Sequence, residues 1–388
     1  MPSTSETAPE RPRLAEPVEA TADGGQVYVR IGTPPSYLRL GARAWSIAQL
    51  LDGSRTVDEA AREAGCPPAH VRKVMAQLAA NGLLEGTEAP RAHGGDVHRQ
   101  SLFFLKSTWH DPRSLATAHR LLARWCPPRV VLPALVALLA AGVVVCALRW
   151  GDMLSGANDA LSWSAAWQVW PAILLRAVVH ELGHAFTCLS FGRSVAALGV
   201  GLYYFQPVAF TDVSDIWLLR ARWRRVLVHL SGPLVDLAIL VASGCLVLAL
   251  SDGAARTFAA YLFLSTVVGI VATLNPLLRS DGYFVLTELL REDDLRERAM
   301  ALLATTAPWR VRVRDRTTAV LVAYGALSFV YIVVILGVAA NVASGFLLGS
   351  VLGLENAVPA PLAWTAGAAV AVALWLRMLR QARSGTLA

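Results

Sequence analysis

The sequence predicts a mainly α, polytopic membrane protein with six spanning helices, preceded by a small soluble α+β domain. Three observations lead there. Of the 388 residues, 55% are hydrophobic and only 16% charged, with mean hydropathy +0.47, against about a quarter charged in ordinary soluble domains. Six apolar runs are long enough to cross a hydrocarbon core: 130–148, 163–191, 226–250, 258–278, 319–342 and 362–376. The net charge of +7 sits in arginine clusters between those runs. Segments 192–225, 279–316 and 377–388 hold sixteen arginines, whereas 149–162, 251–256 and 344–361 hold two. That asymmetry orients a cell-membrane protein with both termini cytoplasmic, and it argues for membrane topology rather than a nucleic-acid surface.

Taken in order, residues 1–24 are rich in Pro, Ser, Ala and Glu and lack a basic start before an apolar core. They read as a disordered tail, not a signal peptide. Residues 25–86 form the soluble domain. Gln26–Ile31 alternates like a strand, and helical periodicity follows over 42–51, 57–64 and 68–81, with Gly53, Gly65 and Gly82 as breaks. Residues 87–126 are a linker containing Pro90, Gly94 and Gly95, then an amphipathic stretch from Ser114 to Trp125 suited to the membrane surface. Residues 127–388 are the membrane domain. Cys66, Cys126, Cys146, Cys188 and Cys245 are scattered, odd in number and without a C-x-x-C pair. They give neither a disulfide framework nor a thiolate metal site.

The second span contains His180-Glu181-Leu182-Gly183-His184. Residues four apart share a helix face, so both imidazoles can reach one ion, and Glu181 stands beside them to accept a proton from water. A chance match is the alternative. Against it, ionisable groups at the bilayer centre cost roughly 2.5–3.5 kcal/mol each on insertion scales, and metal binding supplies a compensating partner. A catalytic zinc usually has three protein ligands. The fourth span ends Asn275-Pro276-Leu277-Leu278-Arg279-Ser280-Asp281-Gly282, where Asn-Pro breaks the helix and Asp-Gly is turn chemistry. On these residues alone, Asp281 either caps the following helix or returns toward the histidines.

H-E-L-G-H in one span, followed two spans later by Asn-Pro and Asp-Gly, resembles the site-2 protease family of intramembrane zinc metalloproteases, in its peptide zinc metalloprotease branch. The resemblance covers about 163–290. It implies a catalytic core of three spans, a Zn²⁺ ion held by His180, His184 and Asp281, and Glu181 as the catalytic base. The family spacing is N-P-x-P-D-G; here two more residues intervene and the second proline is missing, which bears on Asn275 as a substrate-positioning residue. Gly232-Pro233-Leu234-Val235-Asp236 matches the family's Gly-Pro-x-x-Asn with Asp for Asn, placing Gly232, Pro233 and Asp236 as supporting residues. In the family, the region matching 192–212 forms a hairpin beside the site, on whose edge an extended substrate pairs. Asp212 and Asp215 read as helix caps.

Leu38–Gly41 through Gly53, Thr56–Ala61 and Val71–Leu84 resemble the PqqD-like domains, winged-helix modules that bind the leader of a precursor peptide as an added strand. A regulatory or purely structural module is the alternative, and a DNA-binding winged helix is disfavoured, because helix 68–81 carries only Arg72 and Lys73 beside His70. The expected activity is zinc-dependent endopeptidase cleavage, at the membrane, of a ribosomally synthesised modified peptide. The alternatives are a regulatory protease cutting a transmembrane anchor, or a non-proteolytic membrane helper for peptide export or immunity.

Overall fold

The computed structural model describes residues 11–32, 36–87, 104–110, 113–125, 128–161, 163–203, 206–305, 312–313, 315–344 and 360–383. They are mainly helical, with two small antiparallel sheets. The chain divides into two units, Met1–Thr273 and Leu274–Ala388.

The first unit opens with strands β1 (Val18–Asp23), β2 (Gln26–Ile31) and β3 (Ser36–Gly41), paired in that order, then helices α1 (Ala42–Ala48), α2 (Val57–Glu63) and α3 (Pro68–Ala80). The expected strand and three helices are all present. Thr56 caps α2 in a capping box with Glu59, and Pro68 starts α3, where its missing N–H is no loss. Val29, Ile31, Leu51, Val71 and Leu78 close the core between sheet and helices. Val18–Asp23, read from sequence as part of the tail, is strand β1; residues 1–10 and most of the linker fall outside the described residues.

Strand β4 (Phe104–His110) and helix α4 (Arg113–Trp125) follow; the helix matches the expected amphipathic stretch, while the strand was not foreseen. Helices α5 (Pro128–Ala160), α6 (Val169–Ser190), α7 (Arg222–Ala249) and α8 (Ala254–Thr273) pack on one another. Between α6 and α7, strands β5 (Ala197–Tyr203) and β6 (Gln206–Asp212) make the expected hairpin, and β4 pairs along the β5 edge. Met153, Ala157, Val247, Ala260 and Phe263 fill the helical core. Val268, Val271 and Leu246 stay exposed, as on helices that meet lipid rather than water.

The N-terminal domain docks on Arg193, on the segment before α7 and on the first turns of α7, mainly through polar contacts. Thr21 Oγ1 donates to the Leu218 carbonyl at 3.1 Å. Tyr28 meets Trp217 edge-on at 5.3 Å. Glu19 accepts from Arg193, and Asp23 accepts from Arg222 at 2.8 Å and from the buried Arg225 at 2.5 Å. Asp215 is a second anchor: it is 2% exposed, accepts from Tyr37 Oη and from the Ser194 amide, and pairs with Arg30 and Arg193. Its expected role as a helix cap is therefore wrong: the carboxylate is spent between elements far apart in sequence. Burial alone raises the Asp23 pKa, but hydrogen bonds from Arg222 and Arg225 outweigh it and hold the carboxyl below its ordinary value. A lowered folded-state pKa contributes stability that is present above the unfolded value and is lost as pH falls through the folded one. Docking should therefore hold from neutral pH down to about 4 and loosen in stronger acid. Asp23→Asn should loosen it at neutral pH by roughly 2 kcal/mol, since the buried Arg225 loses a charged acceptor. Limited proteolysis between 25 and 128 at neutral pH measures this; an unaltered cleavage rate would remove Asp23 as a latch.

The second unit contains α9 (Asp281–Leu290), α10 (Leu295–Thr305), α11 (Arg316–Ser344) and α12 (Ala360–Arg383). Tyr283, Leu295, Ala299, Leu321 and Tyr324 form one core cluster. Among the described residues, five helices are long and apolar enough to cross a membrane: Leu139–Ala160, Ser164–Ser190, Arg222–Ala249, Ala254–Thr273 and Arg316–Val342. The expected sixth span falls in α12, a helix of 24 residues whose apolar stretch among the described residues is Gly367–Arg377. The expected fourth span stops early, at Thr273, because residues 274–280 turn.

Candidate metal centre

Helix α6 carries a stripe at every fourth position, with Ala172, His180, His184 and Cys188 buried. Helix α7 answers with Arg225, Val228, Gly232, Asp236, Leu240, Ser243 and Val247, the three- and four-residue spacing of a helix with one inward face. The two helices come close because both faces are notched. A Cβ on Gly183 would meet the Ser231 carbonyl at 2.9 Å, and a Cβ on Gly232 would meet His180 Nε2 at 2.5 Å and also run into His184 Nε2.

His180 and His184 are 5% and 6% exposed. His180 Nδ1 lies 2.8 Å from Asp236 Oδ2, and His184 Nδ1 lies 2.7 Å from the Val228 carbonyl oxygen. A carboxylate and a carbonyl only accept, so both rings carry their proton on Nδ1 and turn the Nε2 lone pair inward. Those two Nε2 atoms stand 3.2 Å apart. Two lone pairs that close repel unless a proton or a metal ion lies against both. Two nitrogens bound tetrahedrally to zinc at about 2.0–2.1 Å are about 3.3 Å from each other. The donor set and its spacing therefore fit a zinc ion.

Pro233 sits inside α7 and lacks an N–H to give its own helix. Val228, five residues earlier, offers its carbonyl to His184 and to Ser231 Oγ at 2.6 Å. Asp236 is fully buried; Oδ2 also accepts from Arg176 at 2.5 Å. Its Oδ1 is buried with no hydrogen-bond partner among the described residues. Glu181 is half-buried on α6, and its backbone carbonyl accepts from Thr211 Oγ1 of β6 at 3.2 Å, which puts the hairpin against the His-Glu turn. Cys188 packs with Ala185, Val195 and Val228.

In the second unit, Asn275 closes a local turn. Its Oδ1 accepts from the Leu277 amide at 2.9 Å and its carbonyl accepts from Ser280 Oγ at 3.0 Å. The side-chain oxygen expected to position substrate is thus engaged by its own loop. Asp281 is half-buried and is the first residue of α9, after Ser280 in the N-cap position. Gly282 is required there, because a Cβ would strike the Leu274 carbonyl. The residue that sequence reasoning missed is Arg176. Its signal was available: an arginine inside an apolar span, four residues before His180 and so on the same face.

The chain is 29% identical over 133 residues to "Putative peptide zinc metalloprotease protein YydH" of Bacillus subtilis (strain 168). The match covers 33% of this chain and 51% of that protein, so the chain spans about half the length of the curated relative it matches. No family model matches, and no solved structure matches.

Proposed function

We propose that this chain is a membrane zinc endopeptidase of the site-2 protease type, with Zn²⁺ held by His180, His184 and Asp281. The observation that carries the reading is the pair of inward Nε2 atoms 3.2 Å apart, each fixed by an acceptor on its Nδ1. Asp281 is the third ligand in this reading because its Asp-Gly motif, after Asn275-Pro276, matches the family's own. The partial similarity to YydH, a protein named for zinc proteolysis of peptides, points the same way.

A bound zinc ion supplies Lewis acidity, bringing the pKa of water to about 7 and polarising a peptide carbonyl. The protein's part is proton transfer and order. Glu181 takes the proton of the attacking water and delivers it to the leaving amine. The Nδ1 acceptors, Asp236 and the Val228 carbonyl, keep both imidazoles in the metal-binding tautomer. The hairpin β5–β6 beside Glu181 offers an extended backbone for a substrate strand.

The substrate in this reading is a ribosomally synthesised modified peptide, its leader added to the sheet of the PqqD-like domain. Strand β3 supports that role, having β2 on one side and no strand on the other among the described residues. The protein sits in the cell membrane with both termini cytoplasmic, and nucleic acid has no part in its function. Metal analysis of purified protein tests the core of the proposal. The wild type should hold about one zinc per chain, and the His180→Ala, His184→Ala double variant should hold none. Equal zinc in both would sink the assignment.

A further inference from the structure

Arg176 is an ionised side chain in a helix long and apolar enough to cross a membrane, and the proposed reaction does not use it. Such a residue is expensive in hydrocarbon unless it is paired for a purpose. Its guanidinium donates to Asp236 Oδ2 at 2.5 Å, and the same oxygen takes His180 Nδ1 at 2.8 Å. The arginine side chain is 13% exposed and the aspartate 0%. On the far side, the guanidinium lies over Gly269 of α8, where any Cβ would occupy its place. Three helices thus converge on one carboxylate oxygen: α6 gives the arginine and the histidine, α7 the acceptor, and α8 the space.

We propose that Arg176 is a positioning residue for the metal centre, acting through Asp236 on the ring of His180. This rests on the zinc reading above. Held by the imidazole alone, Asp236 Oδ2 could turn and let the ring turn with it; a second, charge-assisted bond from Arg176 Nη2 to the same oxygen fixes its place. Charge balance gives the arginine a second use. In the proposed site the three carboxylates of Glu181, Asp236 and Asp281 are matched by a divalent ion and one guanidinium. Without Arg176, one negative charge is left uncompensated in apolar surroundings.

Zinc affinity of the purified full-length chain, measured by competition with a chromophoric chelator, tests the relay independently of proteolysis. Asp236→Ala should weaken zinc binding about 10–100-fold, as loss of a ligand's outer partner does. Arg176→Met should weaken it in the same direction, and Arg176→Lys should recover part of the loss. Gly269→Ala touches no proposed ligand, yet it should reproduce Arg176→Met because its methyl takes the guanidinium's place. The Arg176→Met, Asp236→Ala pair should bind no more weakly than Asp236→Ala alone, since the arginine acts only through the aspartate. Wild-type affinity in helical, folded Arg176→Met and Gly269→Ala overturns the relay while leaving the zinc reading intact. Fully additive losses in the pair overturn it too. A wild-type chain that takes up no zinc overturns the zinc reading itself, and the relay with it.

Discussion

Glu181→Gln should abolish peptide cleavage while leaving zinc bound. The side chain is not a ligand in the proposed site, and the amide is nearly isosteric, so neither the histidine pair nor the helix should move. What disappears is proton transfer. A general base contributes about 10²–10⁴-fold to such reactions, and the loss of an ordered attacking water adds to that. Zinc content and cleavage rate, measured on the same preparation, separate the possibilities. Cleavage at the wild-type rate would make Glu181 a bystander and favour a membrane helper with a structural zinc. Loss of the metal would make Glu181 a ligand, and Asp281 would have to be reassigned. Full zinc with no cleavage is the expected result. Because Glu181 precedes Gly183 on a helix whose backbone is held by Thr211, the folded variant should still engage peptide on the hairpin, and substrate trapped there could be identified by mass.

Much of the fold was legible because its signals are local. The helices of the N-terminal domain were bounded by Gly53, Gly65 and Gly82, each of which takes positive φ in the structure. The His-x-x-x-His spacing needed only a helix to bring both rings to one face. What was not legible depends on distant partners. Strand β4 pairs with β5 at separations from 99 positions (Phe104 with Tyr203) down to 87 (His110 with Ala197), and β1 reads as tail until β2 is beside it. Asp215 looks like a cap next to the turn it precedes, yet its partners Tyr37 and Arg30 lie on strands near the start of the chain. Arg176 was hidden for another reason. A run scored as apolar averages away its single charge, and the helical phase that reveals its role becomes meaningful only after His180 is taken as a ligand. Asp236 was assigned as a supporting residue from its Gly-Pro motif; its bond to His180 Nδ1 could come only from the packing of α6 on α7.

Gly232→Ala should eliminate zinc binding without altering any ligand. Gly232 is buried on the face of α7 that meets α6, and a methyl there would lie 2.5 Å from His180 Nε2 and 2.6 Å from His180 Cε1, and against His184 Nε2 as well. Both nitrogens are held from behind, by Asp236 and by the Val228 carbonyl, so neither ring can retreat without breaking a buried hydrogen bond. The methyl therefore occupies the space in which the two lone pairs converge. Helix α7 itself should not suffer, because alanine favours a helix interior over glycine by about 1 kcal/mol. Gly244→Ala, three turns later in the same helix, is the matched control. Its methyl would press on Met153 Sδ at 2.8 Å and on Phe263, far from the histidines. Overpacking of that kind costs about 1–3 kcal/mol of stability and should leave zinc at one per chain. The contrast to measure is zinc stoichiometry against thermal stability in the two variants. Both variants should melt earlier, since each methyl overpacks buried neighbours, but only Gly232→Ala should lose metal and cleavage together, and Gly244→Ala should keep its zinc. Full zinc in Gly232→Ala would mean that the two Nε2 atoms do not meet beneath this glycine, and the metal would have to be sought elsewhere.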